Sequence, residues 1–114
     1  MNKLYAGDRT IDGILVTVDG EPLDTHADMK RYSRNGFEWS YEGAEPTQLA
    51  YAILADHLGD TAKAAGLAPT FMRAIVANFQ NEWQMSSTDI DRVLRQLRLS
   101  VPDYASAQRR AQDA

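Results

Sequence analysis

Residues 36–59 read GFEWSYEGAEPTQLAYAILADHLG, an alternating aromatic run, a glycine-containing loop and a proline-led apolar helix. From Phe37 to Tyr41 aromatic and polar side chains alternate, which predicts a strand with Phe37, Trp39 and Tyr41 on one face. That face either packs on helices or offers a stacking platform to a base or a ligand ring. Pro46 suits the first position of a helix, because its missing donor would be unpaired there in any case. From Leu49 to Leu58 only Asp56 and His57 interrupt the apolar side chains, so the helix is expected to be buried at the centre of the domain. Gly59 ends it, and Asp60 caps the next segment.

Upstream, the chain reads as β. Leu4-Tyr5-Ala6 is a short strand candidate followed by a polar turn at Gly7-Asp8-Arg9, and the β-branched run Ile14 to Val18 stops at the strong turn signal Asp19-Gly20. The two strands are expected to pair. Glu21 to Asn35 is polar and irregular. Downstream, the chain reads as α. Gly66 and Pro69 are expected to break or kink the pattern, after which Phe71, Met72, Ile75, Val76 and Phe79 form one core stripe. A last helix opens near Ser86 or Ser87, with Asp89 in its first turn and Ile90, Val93, Leu94 and Leu97 as its apolar face. Arg92, Arg95 and Arg98 succeed one another at three-residue spacing as a short basic edge, and Arg109-Arg110 lies near the end.

The chain has 114 residues, 25% of them charged, no cysteine and a net charge of −4. One core fits that length, and no apolar run reaches the roughly 20 residues of a membrane span. The N-terminal stretch lacks the apolar core of a secretory signal, and a cytoplasmic location is the expectation. The absence of cysteine removes thiolate metal sites and cysteine nucleophiles. Acidity concentrates at the front, where residues 1–45 carry five Lys or Arg against nine Asp or Glu. A duplex-binding protein needs a basic footprint, so this half suits a basic protein surface instead.

No catalytic or metal-ligand constellation stands out, and no cofactor is implied. Asp24, His26 and Asp28 alternate, but in a loop-like context that needs no metal. Asp8, Asp12, Glu38, Glu42 and Glu45 surround Arg9 without a spacing that demands acid-base work. The loop Ser40 to Glu45 enters a helix N-terminus, yet Glu42 and Glu45 disfavour phosphate there. Gln48, a neutral amide in the first turn, either ties loop backbone to the helix or reads a ligand. Arg9 either pairs with Glu38 or Glu42 or contacts an anion.

The motifs Tyr5-x-Gly7-x-Arg9, Val18-Asp19-Gly20 with Leu23, Gly36-Phe37-Glu38-Trp39-x-Tyr41-x-Gly43-x-x-Pro46-x-Gln48-Leu49-Ala50-x-Ala52-Ile53-Leu54, and Phe71, Trp83 and Asp89-Ile90 together resemble domain of unknown function 6166 over roughly residues 5–94. That resemblance implies small proteins carried by bacteria and their phages, hence a mobile-element setting. It implies no activity. In this chain Ser40, Glu42, Ala44 and Glu45 replace the glycine- and serine-rich loop of relatives.

The expected fold is α+β, a small antiparallel sheet of about three strands packed against three or four helices. Residues 1–100 form the expected domain, and 101–114 a tail, disordered or helical. The expected function is a non-enzymatic protein-interaction module that acts on a host protein, such as a defence complex, as inhibitor or accessory factor. A nucleic-acid-binding protein using Arg92, Arg95 and Arg98 is the alternative. A small enzyme or ligand-binding domain using Arg9, Glu38, Trp39, Tyr41 and Gln48 is the second alternative. The oligomeric state is left open.

Overall fold

In the computed structural model the chain is described over residues 2–100, with side chains as far as 97. The tail from 101 with Arg109-Arg110, and the Arg98 side chain, lie outside the described residues. Four strands form one antiparallel sheet: β1 (Leu4–Thr10), β2 (Gly13–Val18), β3 (Glu21–Pro22) and β4 (Glu82–Ser86), in the order β3-β2-β1-β4. Among the described residues three helices, α1 (Ala44–Leu58), α2 (Thr61–Ala74) and α3 (Ser87–Ser100), join the sheet in an α+β arrangement, with one 3-10 turn over Val76–Asn78. No helix among the described residues is long and apolar enough to cross a membrane.

The first hairpin is longer than the sequence suggests. Gly7-Asp8-Arg9 is strand and not turn, and the chain reverses at Ile11-Asp12, so that Thr10 faces Gly13. Asp19-Gly20 does turn the chain, with positive φ at both residues (51° and 85°), the condition that favours Asp-Gly in a tight hairpin. Asp19 also accepts the Leu4 N–H at 2.9 Å. Along β1 and β4 the side chains alternate by face: Tyr5, Trp83 and Met85 are buried, whereas Leu4, Glu82 and Gln84 are exposed. One face of the sheet therefore carries the core, and the other carries no helix among the described residues.

The expected aromatic strand does not form. Residues 37–41 are irregular, and Ser40 at φ 80° breaks the two-residue period, so Trp39 is fully buried while Tyr41 is 45% exposed. What holds this segment is not a ladder but scattered bonds, including Ser40 N–H to the Val76 carbonyl at 3.1 Å. The fourth strand comes instead from Glu82–Ser86, paired to β1 with Tyr5 facing Met85 and Gly7 facing Trp83.

Helix α1 is buried continuously from Pro46 to Ala55 and ends in a left-handed Gly59 that returns its N–H to the Ala55 carbonyl at 2.9 Å. Asp60 accepts the Lys63 N–H at 3.0 Å as the cap of α2. Contrary to the sequence expectation, α2 runs unbroken through Gly66 and Pro69. Its buried residues Ala64, Ala68, Phe71 and Met72 lie on one side at helical spacing, and that packing outweighs the lost backbone bond. Ser86 and Asp89 cap α3 reciprocally, each side chain accepting the other's backbone N–H at 3.0–3.1 Å. Under the sheet, the Tyr5 hydroxyl donates to Asp56 at 2.5 Å, and Lys3 reaches the same carboxylate oxygen at 3.2 Å. Burial first, then the Asp56 carboxylate, push the Tyr5 phenol well above its ordinary range.

A Cβ at Gly66 would meet no atom within 4 Å, in a helical backbone that any residue tolerates. Gly66→Ala is expected to raise stability by about 0.5–1 kcal/mol through the entropy of the unfolded chain, read as a higher urea midpoint at unchanged slope.

Candidate functional site

Several of the motif residues meet at one junction. Arg9, on the core face of β1, donates through Nε and Nη2 to the Glu38 carboxylate at 3.1 and 2.7 Å, and Nη2 reaches the Trp39 carbonyl at 2.6 Å. Its Nη1 donates to Asn81 at 2.6 Å, and the guanidinium lies 4.7 Å from the centre of the Trp39 ring. Glu38 also accepts the Trp39 N–H at 3.0 Å, and the Trp39 indole donates to the Gln80 carbonyl at 2.8 Å. One cation therefore ties β1, the irregular segment and the turn before β4. Glu42, the other acid considered for Arg9, pairs with Arg73 at 3.7 Å instead, both side chains being exposed.

Beside this junction Trp83 stacks on Phe79, centroids 4.3 Å apart, and meets Trp39 edge-on at 5.9 Å. The indole crosses directly over Gly7, where a Cβ would sit 2.2 Å from Trp83 Nε1. Only glycine leaves room for that ring. The surface above the junction is a polar hollow of about 410 Å³ lined by Arg9, Ser40 and the segment 77–81. Most of its donors and acceptors are already engaged, since Ser40 donates to the Phe79 carbonyl at 2.6 Å and Arg9 is divided among Glu38, Trp39 and Asn81.

Gln48 has its full hydrogen-bonding complement within the chain. Its carbonyl oxygen accepts the Tyr32 and Ser33 N–H groups at 2.6 and 3.2 Å, and its amide donates to the Thr25 and Lys30 carbonyls at 2.8 and 3.1 Å. At 1% exposure it has no surface to offer a ligand. The loop that it ties to the helix is 25–33, not the segment that immediately precedes α1. Thus Arg9, Glu38, Trp39 and Gln48 are all engaged internally, and Tyr41 alone of the five candidates stands out into solvent.

The remaining candidates are dispersed. Arg92 pairs with Asp89 at 3.2 Å, and Arg95 is exposed on the same helix. His57 bonds Asp91 at 2.7 Å, joining α1 to α3. His26 sits at φ 55° with its N–H on Asp24, an Asx turn that orders the loop locally. Among the described residues no group of three or more His, Asp or Glu is placed to hold a metal.

The helix-free face of the sheet is a surface that sequence patterning did not single out. Ala6, Asp8, Leu15, Thr17, Glu82 and Gln84 line an open hollow of about 450 Å³ there. Asp8 and Glu82 stand directly opposite in the β1–β4 register, and neither forms an ion pair among the described residues. Leu15 is 52% exposed beside Asp8, its partner on β2. The signal was available in the alternation of Glu82-Trp83-Gln84-Met85-Ser86, polar and apolar in turn, which marks a half-buried strand.

A protein-family model described as a family of unknown function, DUF6166, matches residues 5–96. No curated protein and no solved structure matches the chain.

Two substitutions test the junction and the tie. Gly7→Ala is expected to cost about 1–3 kcal/mol by overpacking and to shift tryptophan emission, because Trp83 must leave its place between Phe79 and Trp39. Gln48→Met leaves four backbone groups without their partners, and is expected to cost about 2 kcal/mol or more and to speed amide exchange at Tyr32 and Ser33 selectively.

Proposed function

The chain belongs to the DUF6166 family of unknown function, and we propose that it is a protein-binding domain whose helix-free sheet face docks a basic surface of a partner. The setting we propose is a host protein on which the domain acts as inhibitor or accessory factor. One observation carries the reading: Asp8 and Glu82 face each other across β1 and β4 with no cation paired to either among the described residues, in an open hollow with half-exposed Leu15.

Like charges directly opposite in a sheet are unfavourable, by up to about 1 kcal/mol relative to neutral pairs. A lysine or arginine brought by a partner relieves that repulsion, and the acidity of the N-terminal half steers such a partner in. Apolar contact is available around the carboxylates. Ile11 at the hairpin tip is fully exposed, and Leu4 and Leu15 on the outward face are 42% and 52% exposed. Apolar anchors with a charged rim are how protein interfaces combine affinity with partner choice. The small-ligand reading has less support, because its residues Arg9, Glu38, Trp39 and Gln48 are engaged in holding the fold. The nucleic-acid reading has less support too, because Arg92 is already paired and the open hollow carries carboxylates.

The test is capture of partners from host lysate by the tagged full chain, with nuclease present, beside the variant carrying Asp8→Lys and Glu82→Lys. A stoichiometric partner lost from the double variant, at unchanged melting temperature, is the expected result. Capture that the double variant retains in full, or no capture at all, would overturn the reading.

A further inference from the structure

The sheet has two edges, and they are not alike. At one end β3 is two residues long and covers only Thr17 and Val18 of β2, and its Pro22 has no N–H to offer. At the other end β4 runs for five residues without proline or lysine. We propose that the free edge of β4 accepts an extended segment of a partner protein as a fifth strand, with a basic residue of that segment beside Glu82. This rests on the reading of the helix-free face as a surface for a basic partner, and it specifies how the partner is held.

Two bonds establish the direction of the backbone groups. Ser87 N–H donates to the Lys3 carbonyl at 2.9 Å, and Asp19 N–H donates to the Leu4 carbonyl at 2.8 Å. Adjacent residues of β1 thus turn to opposite neighbours, the odd-numbered ones toward β4 and the even-numbered ones toward β2, as an antiparallel ladder requires. In β4 the partners of Tyr5 and Gly7 are Met85 and Trp83, whose N–H and C=O groups therefore point inward to β1. The backbone groups of Glu82 and Gln84 point outward, to the open edge. Ser86 does not add to the edge, since its N–H is held by Asp89 at 3.0 Å.

The side chains then choose the occupant. A residue added opposite Gln84 places its side chain on the helix-free face, and the residue two positions along lies beside Glu82, one strand away from Asp8. Charge complementarity makes that residue lysine or arginine. The intervening residue falls on the core side, next to Trp83 and Met85, and is apolar. The occupant is accordingly an extended protein segment that alternates basic and apolar residues, bound by strand addition. A second copy of this chain fits less well, because pairing β4 with itself would bring two Asp8–Glu82 rows onto one continuous face.

The experiment uses the isotopically labelled full chain and two synthetic peptides of about ten residues, one alternating lysine with valine and one alternating glutamate with valine. The expected result is binding of the lysine peptide with amide exchange at Gln84 slowed by about tenfold or more, and binding of the glutamate peptide weaker by about tenfold or more. Gln84→Pro should abolish binding while keeping the thermal transition, since the lost N–H faces outward. Glu82→Lys, which leaves the backbone edge intact, should reverse the preference between the peptides. Shift changes confined to Ala6, Leu15 and Thr17 with no protection at Gln84 would overturn the edge proposal and leave the face reading standing. So would failure of the lysine peptide to bind while capture sensitive to Asp8 and Glu82 persists, and loss of both overturns both. Protection of Gln84 that rises with protein concentration in the absence of peptide would make a second copy the occupant, which also overturns it.

Discussion

A helix buried over ten consecutive residues, Pro46 to Ala55, must be surrounded on every side, and that requirement organises the rest of the molecule. Helix α2 covers one flank and the core face of the sheet supplies Tyr5, Val16, Trp83 and Met85. The irregular segment between β3 and α1 closes what remains, through Leu23, Tyr32, Ser33 and Trp39. A covering without regular secondary structure has backbone groups to satisfy, and burial makes each unsatisfied one expensive. Gln48 answers that need from the helix side with four bonds, and Arg9 answers it from the sheet side by holding Glu38 and the Trp39 carbonyl.

Polar side chains in the most distinctive motifs thus have partners within the fold. Arg9, Glu38 and Gln48 are occupied in fixing a loop-rich wall against a central helix. Gly7 belongs to the same set, since its missing side chain admits Trp83 and so joins β1 to the aromatic group of Trp39 and Phe79. On the opposite face of the sheet, by contrast, no part of the described chain competes for Asp8, Leu15 or Glu82.

The α+β class, the central helix with its glycine stop, the Asp60 cap, the Asp19-Gly20 turn and the apolar face of α3 are legible in the sequence. Each depends on local patterns whose physics is settled within a few residues. The aromatic run misleads for a reason that is also local, but invisible to periodicity: one residue, Ser40, adopts a left-handed backbone and redirects the chain beyond it. Pro69 misleads in the other direction, since tertiary burial of Ala68, Phe71 and Met72 keeps the helix intact across it. For Arg9 the sequence offers two uses, and pairing with Glu38 is the one adopted. The Asp8–Glu82 opposition is beyond reach of the sequence, because it depends on pairing strands that lie at opposite ends of the chain.

The inequality of the two sheet edges has a consequence for stoichiometry. A sheet open at both edges can be extended at each, and every added copy renews the opportunity, which is how edge-to-edge growth becomes a fibre. Where β3 covers Thr17 and Val18 of β2, Pro22 has no N–H to offer an added strand, so on the proposal above extension is favoured at β4. On that proposal two copies joined through β4 would carry Pro22 at both outer ends, and the domain would favour one neighbour over continued growth.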